Sequence, residues 1–143
     1  MRNKSAKHIH FFDFGIFYGT LMFSVGFTFE EIQNHLIRKK VDKEWLLAFN
    51  ATKKNFVSHV AGHASRQIIY EGENEKSGRT YFFVHLKDAF DFKNDKHHKI
   101  LSHELIHIVT YNLMDALDIV KENEAFAYTH SYLLDKIYKL LRS

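Results

Sequence analysis

The 143-residue sequence contains no cysteine and no proline, six glycines and a single tryptophan. Without cysteine there is no disulfide framework, no thiolate zinc finger, no iron–sulfur cluster and no cysteine nucleophile. Any metal site must therefore be built from His, Asp and Glu. Without proline, punctuation falls to glycine, helix caps and charge. A long apolar span is missing too. Phe14 to Phe29 is free of charge and follows Arg2, Lys4 and Lys7, but its 16 residues include three glycines, a serine and two threonines. It falls short of the roughly 20 residues a spanning helix needs and carries no A-x-A-like cleavage site, so it reads as strand and turn. A cytoplasmic protein without a membrane partner is the expectation.

What is present is a globular composition, 45% hydrophobic and 26% charged, with 14 Phe and seven Tyr to fill a core. That length and balance suit one domain spanning 1–143. The net charge of +3 is far from the dense basic stripe of a nucleic-acid binder. Residues 1–54 carry nine Lys/Arg against five Asp/Glu, and the remainder 11 against 12. The basic excess, including Arg38-Lys39-Lys40, reads as solvated surface, and nucleic acid is not an expected partner.

Ile16 to Phe27, rich in β-branched and aromatic residues, reads as one or two strands. Thr28-Phe29-Glu30-Glu31 is a capping box, which predicts a helix with Phe29, Ile32, Leu36 and Ile37 on one face. A continuation or second turn of helix runs through Trp45 to Phe49. Asn50 to Ser65 is expected to be mainly loop. Gln67 to Glu71 and Arg79 to Leu86 read as strands joined in a hairpin across the charged insert from Gly72 to Gly78. After a charged loop from Lys87 to Lys96, two helices follow, from about His97 to Met114 and from about Ile119 to Leu141. The predicted order is strand, helix, two strands, helix, helix, in one α+β domain.

The chemistry lies on those last two helices. His103-Glu104-Leu105-Ile106-His107 is an H-E-x-x-H pattern. Four residues make about 1.1 helical turns, so His103 and His107 stand one above the other and two imidazoles can hold one metal ion. Glu104, rotated by about 100° from His103, is placed to take a proton from a water at that metal. Zinc-assisted hydrolysis needs this set of groups. With 11 histidines in the chain, the pattern arises by chance roughly 0.05 times per sequence of this composition, few enough to count as a signal. Leu101, Leu105, Ile108 and Val109 form an apolar side that can seat the helix in a core. Incidental histidines on a surface helix are the bland alternative.

A catalytic zinc site needs a third protein ligand. The metzincin extension requires glycine at 110 and histidine at 113, and Thr110 and Leu113 exclude it. Glu122 and Glu124 on the next helix point about 200° apart, so only one can face the metal. Glu124 is the choice, its face continuing through Ala127, Tyr128 and Ser131, with the small Ala127 allowing close approach of the two helices. Glu122 can instead favour the helix dipole. Tyr128, one turn after Glu124, is the candidate donor to a tetrahedral oxyanion, with packing between the helices as its alternative role. His130 and Tyr132 are weaker candidates. His59 and His63 also stand four apart but lack the glutamate and flank Gly62. His97-His98, His8-x-His10, His35 and His85 have ordinary capping, surface or core roles as the simpler reading.

H-E-x-x-H on one helix with a glutamate on the next resembles the gluzincin side of the zincin metallopeptidases. Glu124-Ala125-Phe126-Ala127-Tyr128, after only a short link, is similar to the E-A-x-A-Y segment of small phage- and prophage-encoded zincin-like proteins. Regulatory metalloproteases of the ImmA/IrrE type look similar, but their glutamate helix reads E-A-N-x-F-A. The likeness is firm over 97–134 and weaker over 14–36. It implies a zincin-like α+β domain with a small sheet, His103, His107 and Glu124 as zinc ligands, Glu104 as catalytic base, and a peptide or protein substrate. It also implies that Arg79 to Leu86 is the edge strand that aligns the substrate. The alternatives are a zinc-binding or phage-associated interaction module without turnover, and a DNA-linked regulator, which no separate helix-turn-helix supports.

Overall fold

Arg79–Leu86 carries large side chains at successive positions, and only a strand covered on both faces can bury them all. The structure, a computed structural model, describes residues 7–14, 17–70, 78–116 and 123–143. Side chains are described for all of these but 17, 18, 113–116, 123 and 124. Its elements run β1 (His8–Phe14), β2 (Phe17–Val25), α1 (Phe29–Arg38), α2 (Lys43–Asn50), β3 (Gly62–Ile69), β4 (Arg79–Leu86), α3 (Asp95–Ala116) and α4 (Asn123–Arg142), with a short 3-10 turn at Lys53–Asn55. The sheet order is β1-β2-β4-β3. β2 and β4 pair in parallel, while β1 and β3 pair antiparallel to their neighbours. The chain is thus an α+β domain, a four-stranded mixed sheet between two helical layers.

Strand alternation sorts the core. Leu21, Phe23, Val25, Phe82, Val84 and Leu86 pack with Leu101, Leu105, Ile108 and Val109 of α3 and Leu133, Ile137 and Leu141 of α4. Met22, Tyr81 and Phe83 point the other way, onto Phe29, Ile32 and Leu36 of α1 and Ala48 and Phe49 of α2. The capping box forms as the spacing predicts: Thr28 Oγ1 accepts from the Glu31 N–H at 3.2 Å, and Glu31 Oε1 accepts from the Thr28 N–H at 3.0 Å. Among the described residues no helix is long and apolar enough to cross a membrane.

Three elements depart from expectation. β1 is not expected from the sequence, because His8, His10 and Asp13 interrupt Ile9, Phe11, Phe12 and Phe14 and blur the apolar period. β3 starts at Gly62, inside the stretch read as loop, because His63 and the buried Ser65 are polar groups turned to a covered face. α2 is a separate helix, since Lys40 adopts a left-handed φ of 53° that breaks the run after α1. The hairpin insert lies largely in 71–77, and the start of the last predicted helix in 119–122, both outside the described residues.

One correction bears on function. Arg79–Leu86 is not an edge strand: β4 is hydrogen-bonded to β2 on one side and β3 on the other. Its double-sided apolar run is the sequence signature of an inner strand, and the free edges belong to β1 and β3.

Candidate metal centre

Leu101, Leu105, Ile108 and Val109 of α3 are fully buried and set the helix's rotation on the sheet. With that face inward, His103 and His107 are left exposed on the far side. Their rings meet edge-on at 83° with centroids 4.7 Å apart, and the two Nε2 atoms converge to 3.1 Å. Two nitrogens each about 2.05 Å from a tetrahedral zinc stand about 3.3 Å apart, so the pair is spaced as one edge of such a site. Without a metal, the same separation fits one imidazole donating to the other.

Glu104 is turned inward and 8% exposed. Burial pushes its carboxyl up from the ordinary glutamate range, and the nearby imidazoles of His103 and His107 pull it part of the way back. Its place against the sheet follows from the packing of α3 on β3. A Cβ at Gly62 would come within 2.8 Å of Ile100, which puts Ile100 over Gly62. Ile100 over Gly62 and Tyr111 under Arg66 show that α3 runs along β3 in the same direction.

The described side chains add no third candidate ligand to the histidine pair. No group of three or more His, Asp or Glu suited to a metal occurs among the described residues. Glu124 is the second residue of α4, but its side chain lies outside the described set, and Glu122 lies wholly outside it.

The structure does not bring Tyr128 to the histidines. Tyr128 is 51% exposed and stacks on Tyr132, whose hydroxyl donates to Asp13 Oδ1 of β1 at 2.7 Å. The His107 ring instead lies 6.3 Å from Tyr111, over which Arg66 of β3 places its guanidinium at 5.8 Å. β1 and β3 are opposite edges of the sheet, so the Tyr128–Tyr132 pair is tied to one edge and His107 with Tyr111 to the other. Ala127, expected between the helices, is exposed as well. The buried stripe of α4 is Thr129, Leu133, Ile137 and Leu141.

Tyr111 and Arg66 are the neighbours of the site that sequence reasoning passed over. Tyr111 stands four residues after His107, as His107 does after His103, and that spacing was a legible signal. Arg66 carried none, because β3 had no recognised start. His97 and His98, just before the pair on α3, are held by hydrogen bonds. His98 is held at both ring nitrogens, Nδ1 by the Tyr138 hydroxyl at 2.6 Å and Nε2 by the Phe92 carbonyl at 2.8 Å. His97 Nδ1 accepts from the Asp91 N–H at 3.0 Å. His59 lies in a turn and His63 in β3, so their spacing is not a helical one.

No protein-family model, no curated protein and no solved structure matches the chain.

Proposed function

We propose that the chain is a zinc-dependent metallopeptidase of zincin-like, gluzincin type. The observation that carries this reading is the pair of exposed imidazoles whose Nε2 atoms converge to 3.1 Å beside the buried Glu104. His103 and His107 hold the metal, and Glu124 is the third ligand. Zinc bound there supplies a positive charge that polarises a peptide carbonyl and acidifies water. Glu104 takes the proton from the attacking water and returns it to the leaving amine, so the carboxylate ends the cycle as it began. Its inward position suits that task, since a carboxylate withdrawn from water is a stronger base than a solvated one. Burial of Leu105 and Ile108 keeps the helix, and with it the relative placement of base and imidazoles, fixed.

Metal analysis and one variant test the reading. Protein prepared without chelator is expected to carry about one zinc per chain. Glu104→Gln is expected to keep the zinc and to lose hydrolysis of a peptide library that the wild type cleaves. Absence of zinc overturns the proposal, and zinc without wild-type hydrolysis favours a binding module.

A further inference from the structure

β3 and β4 set His63 directly opposite His85, and β2 sets Ser24 beside His85 in register. Three polar residues thus form a row across the sheet on the face otherwise lined by Met22, Tyr81 and Phe83. Ser24 Oγ lies 2.8 Å from His85 Nδ1. The two imidazole centroids are 5.3 Å apart, and the Phe56 ring covers both, 4.6 Å from His63 and 4.5 Å from His85. His85 is 5% exposed, and both ring nitrogens of His63 are buried with no hydrogen-bond partner.

Among the described residues no acidic group compensates a charged imidazole in this setting. Burial lowers His63 to about 4 and His85 to about 3, with the charge of His63 adding to the effect on His85. β2 contributes Ser24 to the cluster and the covering segment contributes Phe56, while Lys53, Lys54 and His59 of that segment are exposed to solvent. Glu44 of α2 is engaged elsewhere, with Arg79 and the Tyr81 hydroxyl.

The cover is anchored at Thr52, which is fully buried and whose N–H and Oγ1 donate to the Phe49 carbonyl at 2.9 and 2.7 Å. Within it, the Asn55 N–H bonds the Thr52 carbonyl at 2.8 Å, the Phe56 N–H the Lys53 carbonyl at 3.0 Å, and the Val60 N–H the Val57 carbonyl at 3.1 Å. Its bonds to the end of β4 run through Lys87, whose N–H donates to the Ala61 carbonyl at 2.9 Å and whose Nζ donates to the Ser58 carbonyl.

We propose that His63, His85 and Phe56 form an acid-released latch, in which protonation of the imidazole pair lifts residues 53–60 from the sheet and exposes the aromatic face of Phe29, Phe49 and Phe56. Both rings bind protons more weakly when covered than in water. The closed form is therefore fully favoured above about pH 6.5, and loses its advantage as pH falls below that value toward 4. Release of both rings raises the opening equilibrium roughly 10²- to 10³-fold between pH 7.5 and 5, and release of one ring about 30-fold.

Amide hydrogen exchange on the full chain, corrected for the intrinsic effect of pH, reads the opening at Phe56, Val60 and Lys87. Protection there is expected to fall about 10²-fold or more from pH 7.5 to 5, while Leu105 and Ile108 of α3 keep theirs. The double variant His63→Gln, His85→Gln is expected to flatten this dependence. An NMR titration of the wild-type imidazoles covers the case in which the variant does not fold: both rings are expected to titrate well below 6.5, together with the loss of protection. An equal slope in the variant, a parallel loss in α3, or either ring titrating near 6.5 in the native protein overturns the proposal.

Discussion

Leu105→Ala tests what holds the histidine pair in place. Leu105 follows Glu104, has no exposed surface, and packs in the core between the sheet and α3 and α4. Truncation to Ala removes three buried carbons, worth about 0.8 kcal/mol each, and leaves a cavity that a sheet-backed site refills only in part. The expected destabilisation is about 3–4 kcal/mol. Ile106, the next residue, is 44% exposed and provides the internal control. Ile106→Ala gives up little burial and gains some helix propensity, so its cost stays below about 1 kcal/mol. An unfolding entropy of about 2.1 cal/mol/K per residue makes about 0.3 kcal/mol/K for this chain, so Leu105→Ala lowers Tm by about 10 °C and Ile106→Ala by less than about 3 °C. Urea titration and thermal melting followed by circular dichroism measure both. Equal shifts, or a Leu105→Ala cost below about 1 kcal/mol, would falsify the orientation of α3 on which the exposure of His103 and His107 depends.

Two further variants probe the frame around the site. Thr28→Ala removes the hydroxyl that accepts from the Glu31 N–H and should cost about 1 kcal/mol in urea denaturation, with Thr28→Ser recovering most of it. Gly26→Ala forces a side chain onto a φ of 83° and brings its Cβ within 3.2 Å of the Ala89 backbone. A loss of about 1–3 kcal/mol is expected, and a variant as stable as wild type would show that this turn is not held as described.

The parts of the fold that were legible share a cause: their pattern is local. Thr28 and Glu31 cap α1 with groups three residues apart, and Leu101, Leu105 and Ile108 mark the buried side of α3 at helical spacing. β4 shows the limit of such reading. Its bounds were clear from Arg79 to Leu86, yet its position in the sheet was misjudged, since strand order depends on partners remote in sequence. The expected hairpin of β3 with β4 is present, but the first half of β3 is hidden in the sequence because His63 and Ser65 are polar side chains on a covered face, and β1 is hidden because His8, His10 and Asp13 interrupt its apolar residues.

The same division runs through the candidate site. The sequence by itself determined that a metal site must use His and carboxylate, and it placed His103, Glu104 and His107 on one helix with defined angular offsets. Only the tertiary structure decided which of them faces water. Packing of α3 on the sheet turns Glu104 inward and leaves the imidazoles exposed, with Nε2 atoms 3.1 Å apart. It also set Tyr128 on Tyr132, whose hydroxyl reaches Asp13 of β1, put Tyr111 and Arg66 beside His107, and joined His63 to His85 across two strands. Helical spacing is set by backbone geometry within a few residues. Which helix face meets the sheet, and which strands become neighbours, is set by burying apolar surface contributed from the whole chain.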